Sequence, residues 1–334
     1  MNMRISTNSI INKYQNSLMK IQSDKAKEQL RLTTGEYITE LADEPKRFVA
    51  AKSLHKLIER NNAIKNNIEQ TLNEFSVVEE QLRSISDKLQ TIRQTAIDST
   101  LTGNTGNLHS LGIYVKGILE DIVKDANMDF NGHFVFAGTK TTPNSLEKIG
   151  SENYPYPFEL IKDTPTNNNP SGLRIIFKGN FKDREISKDA YHNEIINTKA
   201  DELFGNKGTE ILETIIKLYN LMAYNSDGTP RAFTDVYTTD DQKKLDEYQK
   251  QIADQIIKIN AVSANIGAKY KRFDDLRLQM NNQELLLKDF LSQEKDTDFA
   301  KSTLELKKAE NSLSYTLQVG STILKKSLFD FLNL

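Results

Sequence analysis

Apolar residues recur every three or four positions over two long stretches of the chain, one toward each end. On the N-terminal side they run Ile64, Ile68, Leu72, Phe75, Val78, Leu82, Ile85, Leu89, Ile92 and Ala96. Such steps place every one of them on one side of a helix, so the pattern predicts a single long amphipathic helix. Asp43-Glu44-Pro45 supplies its start, because proline fits a first helical turn and carboxylates suit the positive helix end. Gly103-Asn-Thr-Gly106 supplies its stop. A second helix fits Leu111, Val115, Ile118, Ile122 and Ala126 and ends before Asn131-Gly132.

The C-terminal side mirrors this. Thr239, with Gln242 three residues on, is placed to form a capping box. Behind it runs a stripe of Leu245, Tyr248, Ile252, Ile256, Ile259, Val262, Ile266, Tyr270, Phe273, Leu276 and Met280. A polar break, SQEKDTD at 292–298, interrupts the period, which resumes at Leu306, Ala309, Leu313, Leu317, Gly320, Leu324 and Leu328. A short matching stripe opens the chain at Ile10, Tyr14, Leu18 and Ile21.

Residues 132–207 differ. Five of the seven prolines lie there, among short apolar runs such as HFVFA and LRIIFK that read as strands bounded by turns. Stripes this long must be covered, so the two ends come together. The expected fold is mainly α: long antiparallel coiled-coil helices from both termini packed together, with a small central β-rich insert domain. Three domains are expected: a terminal helical domain of 1–40 plus 295–334, a helical rod of 41–131 plus 206–294, and the β-rich insert at 132–205.

Composition narrows the function. The chain has 334 residues, 44 basic and 46 acidic, for a formal net charge of -2. It lacks the basic excess that marks a nucleic-acid footprint. Cysteine is absent, which removes disulfides, thiolate metal sites and a cysteine nucleophile. The first twenty residues are too often interrupted by polar side chains for a secretory signal or a membrane span. A soluble chain is expected, with no membrane partner, and export would need another route.

Candidate chemistry is thin. GHFVFAGTKT at 132–141 ends almost like a phosphate-binding loop. That loop needs four residues between its first glycine and a Gly-Lys-Ser/Thr, and a helix directly after it. Here five residues intervene, Thr139 separates Gly138 from Lys140, and Thr141-Thr-Pro143 follows. A strand and a turn explain the segment better. His55, His109, His133 and His192 are scattered without helical ligand spacing. The carboxylates alternate with lysines, as in DQKKLDEYQK, which describes a solvated helix face. No catalytic, cofactor or metal site is expected, and the chain is read as a non-enzyme.

The terminal stripes remain as the candidate site, with Ile10, Tyr14, Leu18, Ile21, Leu313, Leu317, Leu324 and Leu328 as subunit-packing residues. Periodicity alone allows two readings. The stripes complete a coiled coil within one chain, or they stay mobile until neighbouring copies cover them, so that folding is coupled to assembly.

Three blocks carry a resemblance. MRISTNSI at 3–10, LRLTTGEYITELADEPKRFVAAKSL at 30–54 and SLSYTLQVGSTILKKSLFDFL at 312–332 resemble the flagellin superfamily. NGHFVFAGTKT at 131–141 resembles the signature of the members that join hook to filament. Glu36 and Tyr37 depart from the family, standing where a basic pair is common. The resemblance covers about 140 residues on the N-terminal side and 90 on the C-terminal side, and says little about 142–205.

The resemblance implies a structural subunit of the bacterial flagellum, secreted through the flagellar type III export apparatus without a cleaved signal. It implies terminal helices that pack into an inner tube. The partners it implies are further copies in a ring, hook-associated protein 1 on the hook side, flagellin on the filament side and a flagellar export chaperone. A flagellin, or a non-flagellar coiled-coil adaptor, are the alternatives.

Overall fold

In the computed structural model the backbone is described for residues 2–38, 44–101, 105–146, 155–187 and 193–332, and side chains between residues 9 and 322 of these, save 105 and 187. Long helices dominate: α1 (Asn2–Thr34), α2 (Pro45–Asp98), α3 (Leu108–Ala126), α4 (Ala200–Phe204), α5 (Glu210–Ala223), α6 (Thr239–Lys295) and α7 (Phe299–Leu332). Between α3 and α4 lie three two-stranded antiparallel pairs: β1 (Asp129–Phe130) with β2 (His133–Phe134), β3 (Phe158–Lys162) with β4 (Leu173–Phe177), and β5 (Glu185–Ser187) with β6 (Asn193–Ile195). The expected class, long helices with a small β-containing centre, holds. The chain divides into two compact units, residues 1–62 with 280–334, and residues 63–279.

The second unit is built on the seam between α2 and α6. On α2 the stripe from Ile68 through Ala96 is buried throughout. On α6, Leu245, Ile252, Ile259, Ile266 and Phe273 are buried, one every seventh residue, the spacing of a coiled-coil seam, and buried Met280, the first α6 residue of the other unit, keeps the same step. Phe75 and Phe273 meet edge to face, 5.5 Å between centroids. The other members of the stripe sit at its margin, and Tyr270, flanking the seam, is exposed rather than seated in it.

α2 starts at Pro45, as the proline predicts. The α6 cap lies one residue earlier than expected. The Asp241 N–H donates to the Thr238 hydroxyl at 3.1 Å, and the Thr238 N–H donates to the Asp241 carboxylate at 3.0 Å. Thr238 caps, Asp241 answers it, and the glutamine at 242 is not used.

α5 buries residues around most of its circumference, including Ile211, Leu212, Ile215, Leu218 and Met222, and packs on α3. Asn127, at the end of α3, binds the backbone of Phe158 through both ends of its amide, at 2.7 and 2.8 Å. Phe158 in turn touches the rings of Phe177 and Phe204. The LRIIFK run forms β4 as expected. HFVFA does so only at His133–Phe134; Val135, Phe136 and Ala137 are buried outside any strand, because the chain folds back there and Phe134 donates to the Thr141 carbonyl at 2.7 Å.

Candidate assembly surface

α1 and α7 pack on each other within the first unit. Their sequences allow this because both carry a narrow apolar stripe on an otherwise polar helix. Tyr14, Leu18, Ile21 and Leu313 are half-buried along the seam. Tyr14 lies over Gly320, which is buried and has no side chain to obstruct the ring. Lys25 and Glu310 pair across the seam at 3.9 Å, and Glu310 also accepts from Lys307 at 2.9 Å. The Lys307 hydrogen bond and charge, with Lys25 adding to them, hold the Glu310 carboxyl below its ordinary pKa.

The other predicted residues divide. Ile10 is 48% exposed and Leu317 51% exposed, so the single chain leaves them in water. The side chains of Leu324 and Leu328 lie outside the described residues. Beyond the predicted stripe, α7 also exposes Leu304, Tyr315 and Val319, and α1 exposes Met19 and Leu30. The α7 trio stands at i, i+11 and i+15, three and four helical turns along one face. That spacing was the available signal. The first of the two readings therefore holds in part: α1 and α7 cover one side of each other and leave other apolar positions uncovered.

Among the described residues no group of three or more His, Asp or Glu is placed to hold a metal. His109 contacts the Ala223 carbonyl at 2.9 Å, His133 contacts Thr141 at 3.1 Å, and His55 contacts Glu59 at 3.4 Å; His192 lies outside the described residues. A hollow of about 710 Å³ beside α2 and α6 is lined by residues such as Glu79, Arg83, Asp87 and Asn260 and is open to solvent. In the GHFVFAGTKT segment the Thr139 N–H is occupied by the Asn180 side chain at 2.9 Å, and the Lys140 N–H by the Ala137 carbonyl at 3.3 Å. Its donors close a turn. Among the described residues no helix is long and apolar enough to cross a membrane.

The described residues thus combine long helices with a small β-containing insert, and they leave apolar positions on α1 and α7 exposed. The chain matches, on its N-terminal side, the family model of the bacterial flagellin N-terminal helical region over residues 5–141. In fold it is similar to a Vibrio parahaemolyticus protein assigned as a flagellar hook-associated protein, with 19% identity, 76% of this chain and 100% of that one covered, and a TM-score of 0.59. It is also similar to flagellar hook-associated protein 3 of Legionella pneumophila, with 11% identity, 72% and 98% coverage and a TM-score of 0.56. FlgL of Xanthomonas campestris is a third, at 14% identity, 72% and 99% coverage and a TM-score of 0.52. No curated protein sequence matches the chain.

Proposed function

We propose that this chain is a structural subunit of the bacterial flagellum, a hook-filament junction adaptor of the hook-associated protein 3 type. It assembles into a ring through its terminal helices and templates the filament that follows. The observation that carries this is the pair of terminal helices with apolar side chains left in water, Ile10 and Leu317 among them, in a flagellin-like chain. At about 25 cal/mol per Å² of apolar surface, a few hundred Å² buried per contact favours assembly by several kcal/mol before ordering costs.

On this reading the segments 1–40 and 295–334 form the assembling domain, 41–131 with 206–294 the rod, and 132–205 an insert. Ile10, Tyr14, Leu18, Ile21, Leu313, Leu317, Leu324 and Leu328 are the packing residues. Hook-associated protein 1 lies on one side, flagellin on the other, and an export chaperone accompanies the chain before type III secretion to the extracellular flagellum. The role is structural and calls for no cofactor.

The flagellin N-terminal match favours one second reading, the filament subunit itself. Deleting the gene separates the two. An adaptor leaves hooks without filaments and flagellin monomers in the medium. Filaments that still grow would mean a minor flagellin or no flagellar role.

A further inference from the structure

One aromatic ring ties together three helices of the first unit. Gly35 closes α1 in the left-handed conformation (φ 74°), its N–H donating to the Arg31 carbonyl at 2.8 Å. The chain then runs beside the turn between α6 and α7. Tyr37 donates its N–H to the Lys295 carbonyl at 2.7 Å, and Thr297 donates its own to the Gly35 carbonyl at 2.9 Å. The Thr297 and Ser302 hydroxyls, 3.1 Å apart, extend the connection into the first turn of α7.

The Tyr37 ring carries two guanidinium groups, Arg31 at 3.9 Å and Arg47 at 4.8 Å from its centroid, both within cation–π reach. Two cations on one ring repel each other, and three carboxylates offset that repulsion. Glu28 lies 2.6 Å from Arg31, Glu294 lies 3.1 Å from Arg47, and Glu44 accepts the Tyr37 hydroxyl at 3.0 Å while standing 3.8 Å from Arg47. The Arg31 Nε donates to the Tyr37 carbonyl at 2.9 Å, and Arg47 donates to the Gln293 carbonyl at 2.7 Å. α1, α2 and α6 thus all reach Tyr37, one through Arg31, one through Arg47 and the Glu44 that precedes it, one through its own terminal carbonyl.

We propose that Tyr37 is a positioning residue, a clasp that holds the end of α1 against α2 and the α6–α7 turn through Arg31 and Arg47, and that salt releases it. The inference does not depend on what the terminal helices assemble with. Its basis is the distribution of charge. Arg31 and Glu28 are nearly buried, but Arg47, Glu44 and Glu294 are each about a third exposed, where dissolved ions screen them. An apolar joint tightens as salt rises; this one loosens.

Hydrogen exchange on the full chain tests it, reading α1 and α7 amides against those of residues 63–279 as a folding control. In the unaltered chain the terminal helices exchange faster as sodium chloride rises to about 1 M. Tyr37→Leu exchanges about tenfold faster in α1 and α7 at low salt and loses the salt response. Tyr37→Phe, which keeps the ring and both cations but not the Glu44 bond, stays within about threefold of the original. The proposal is overturned if Tyr37→Leu exchanges like the unaltered chain, or if it keeps the full salt response. Should Tyr37→Leu also unprotect the control region, Arg47→Met is read by the same criteria.

Discussion

The hydroxyl end of Tyr14 lies so close to Gly320 that a methyl group added to the glycine would sit 2.1 Å from the tyrosine oxygen. The two residues are 306 positions apart, yet each sets what the other can be. Gly320→Leu displaces the ring and destabilises the α1–α7 pair by about 1–3 kcal/mol. Tyr14→Ala alone leaves a gap. The double variant recovers most of the loss, and a double-mutant cycle on thermal unfolding shows the coupling. Simple addition of the two effects would mean the contact is incidental.

Leu317 is half exposed, about one helical turn before the Gly320 contact with Tyr14. Leu317→Asp is expected to abolish incorporation into flagella while the circular dichroism of the isolated chain stays unchanged. Filaments growing normally from this variant would remove the case for the terminal stripe as an assembly face.

Phe75 and Phe273 are each 1% exposed and edge to face. Phe75→Ala opens the α2–α6 seam at this aromatic layer and costs about 3–5 kcal/mol by chemical denaturation. A loss below 1 kcal/mol would place the stability of the second unit elsewhere, in α3 and α5 for instance.

Arg231 is nearly inaccessible and bonds to Asp241 at 2.9 Å, to the Leu221 carbonyl at 3.0 Å and to the Val236 carbonyl at 3.1 Å. Burial by itself raises the Asp241 carboxyl, but the Thr238 N–H and the Arg231 guanidinium outweigh it and hold the pKa below the ordinary value. A depressed folded-state pKa contributes stability above the unfolded pKa and loses it as pH falls through the folded one. Stability of the second unit is therefore expected to decline below about pH 4, and Asp241→Asn flattens that decline. Arg231→Met strands the carboxylate and costs about 3–5 kcal/mol at neutral pH.

The seams of α2 and α6 were legible because each is long and one-sided, and periodicity needs length to stand out. α5 was not. Glu210, Glu213 and Lys217 do mark a polar face, but a helix of 14 residues gives the period few turns in which to stand out. The first unit was legible as stripes but not as a joint. Tyr37, Arg47 and Glu294 meet across a separation of 247 residues, which no local pattern encodes. The exposed strip of Leu304, Tyr315 and Val319 escaped notice because it competes with the stronger stripe through Leu313 and Leu317 on the same helix. HFVFA misled for the opposite reason: a short apolar run signals burial, and burial here comes from a fold-back of the chain.

The strict sevenfold spacing of Leu245, Ile252, Ile259, Ile266, Phe273 and Met280 also quantises the length of the helix that carries it. One inserted residue would swing every later buried position by about 100° and turn the seam into solvent. Seven inserted residues would restore the phase and add about 10 Å of helix. Changes in reach along this part of the molecule are therefore expected to occur in steps of seven residues, matched on α2.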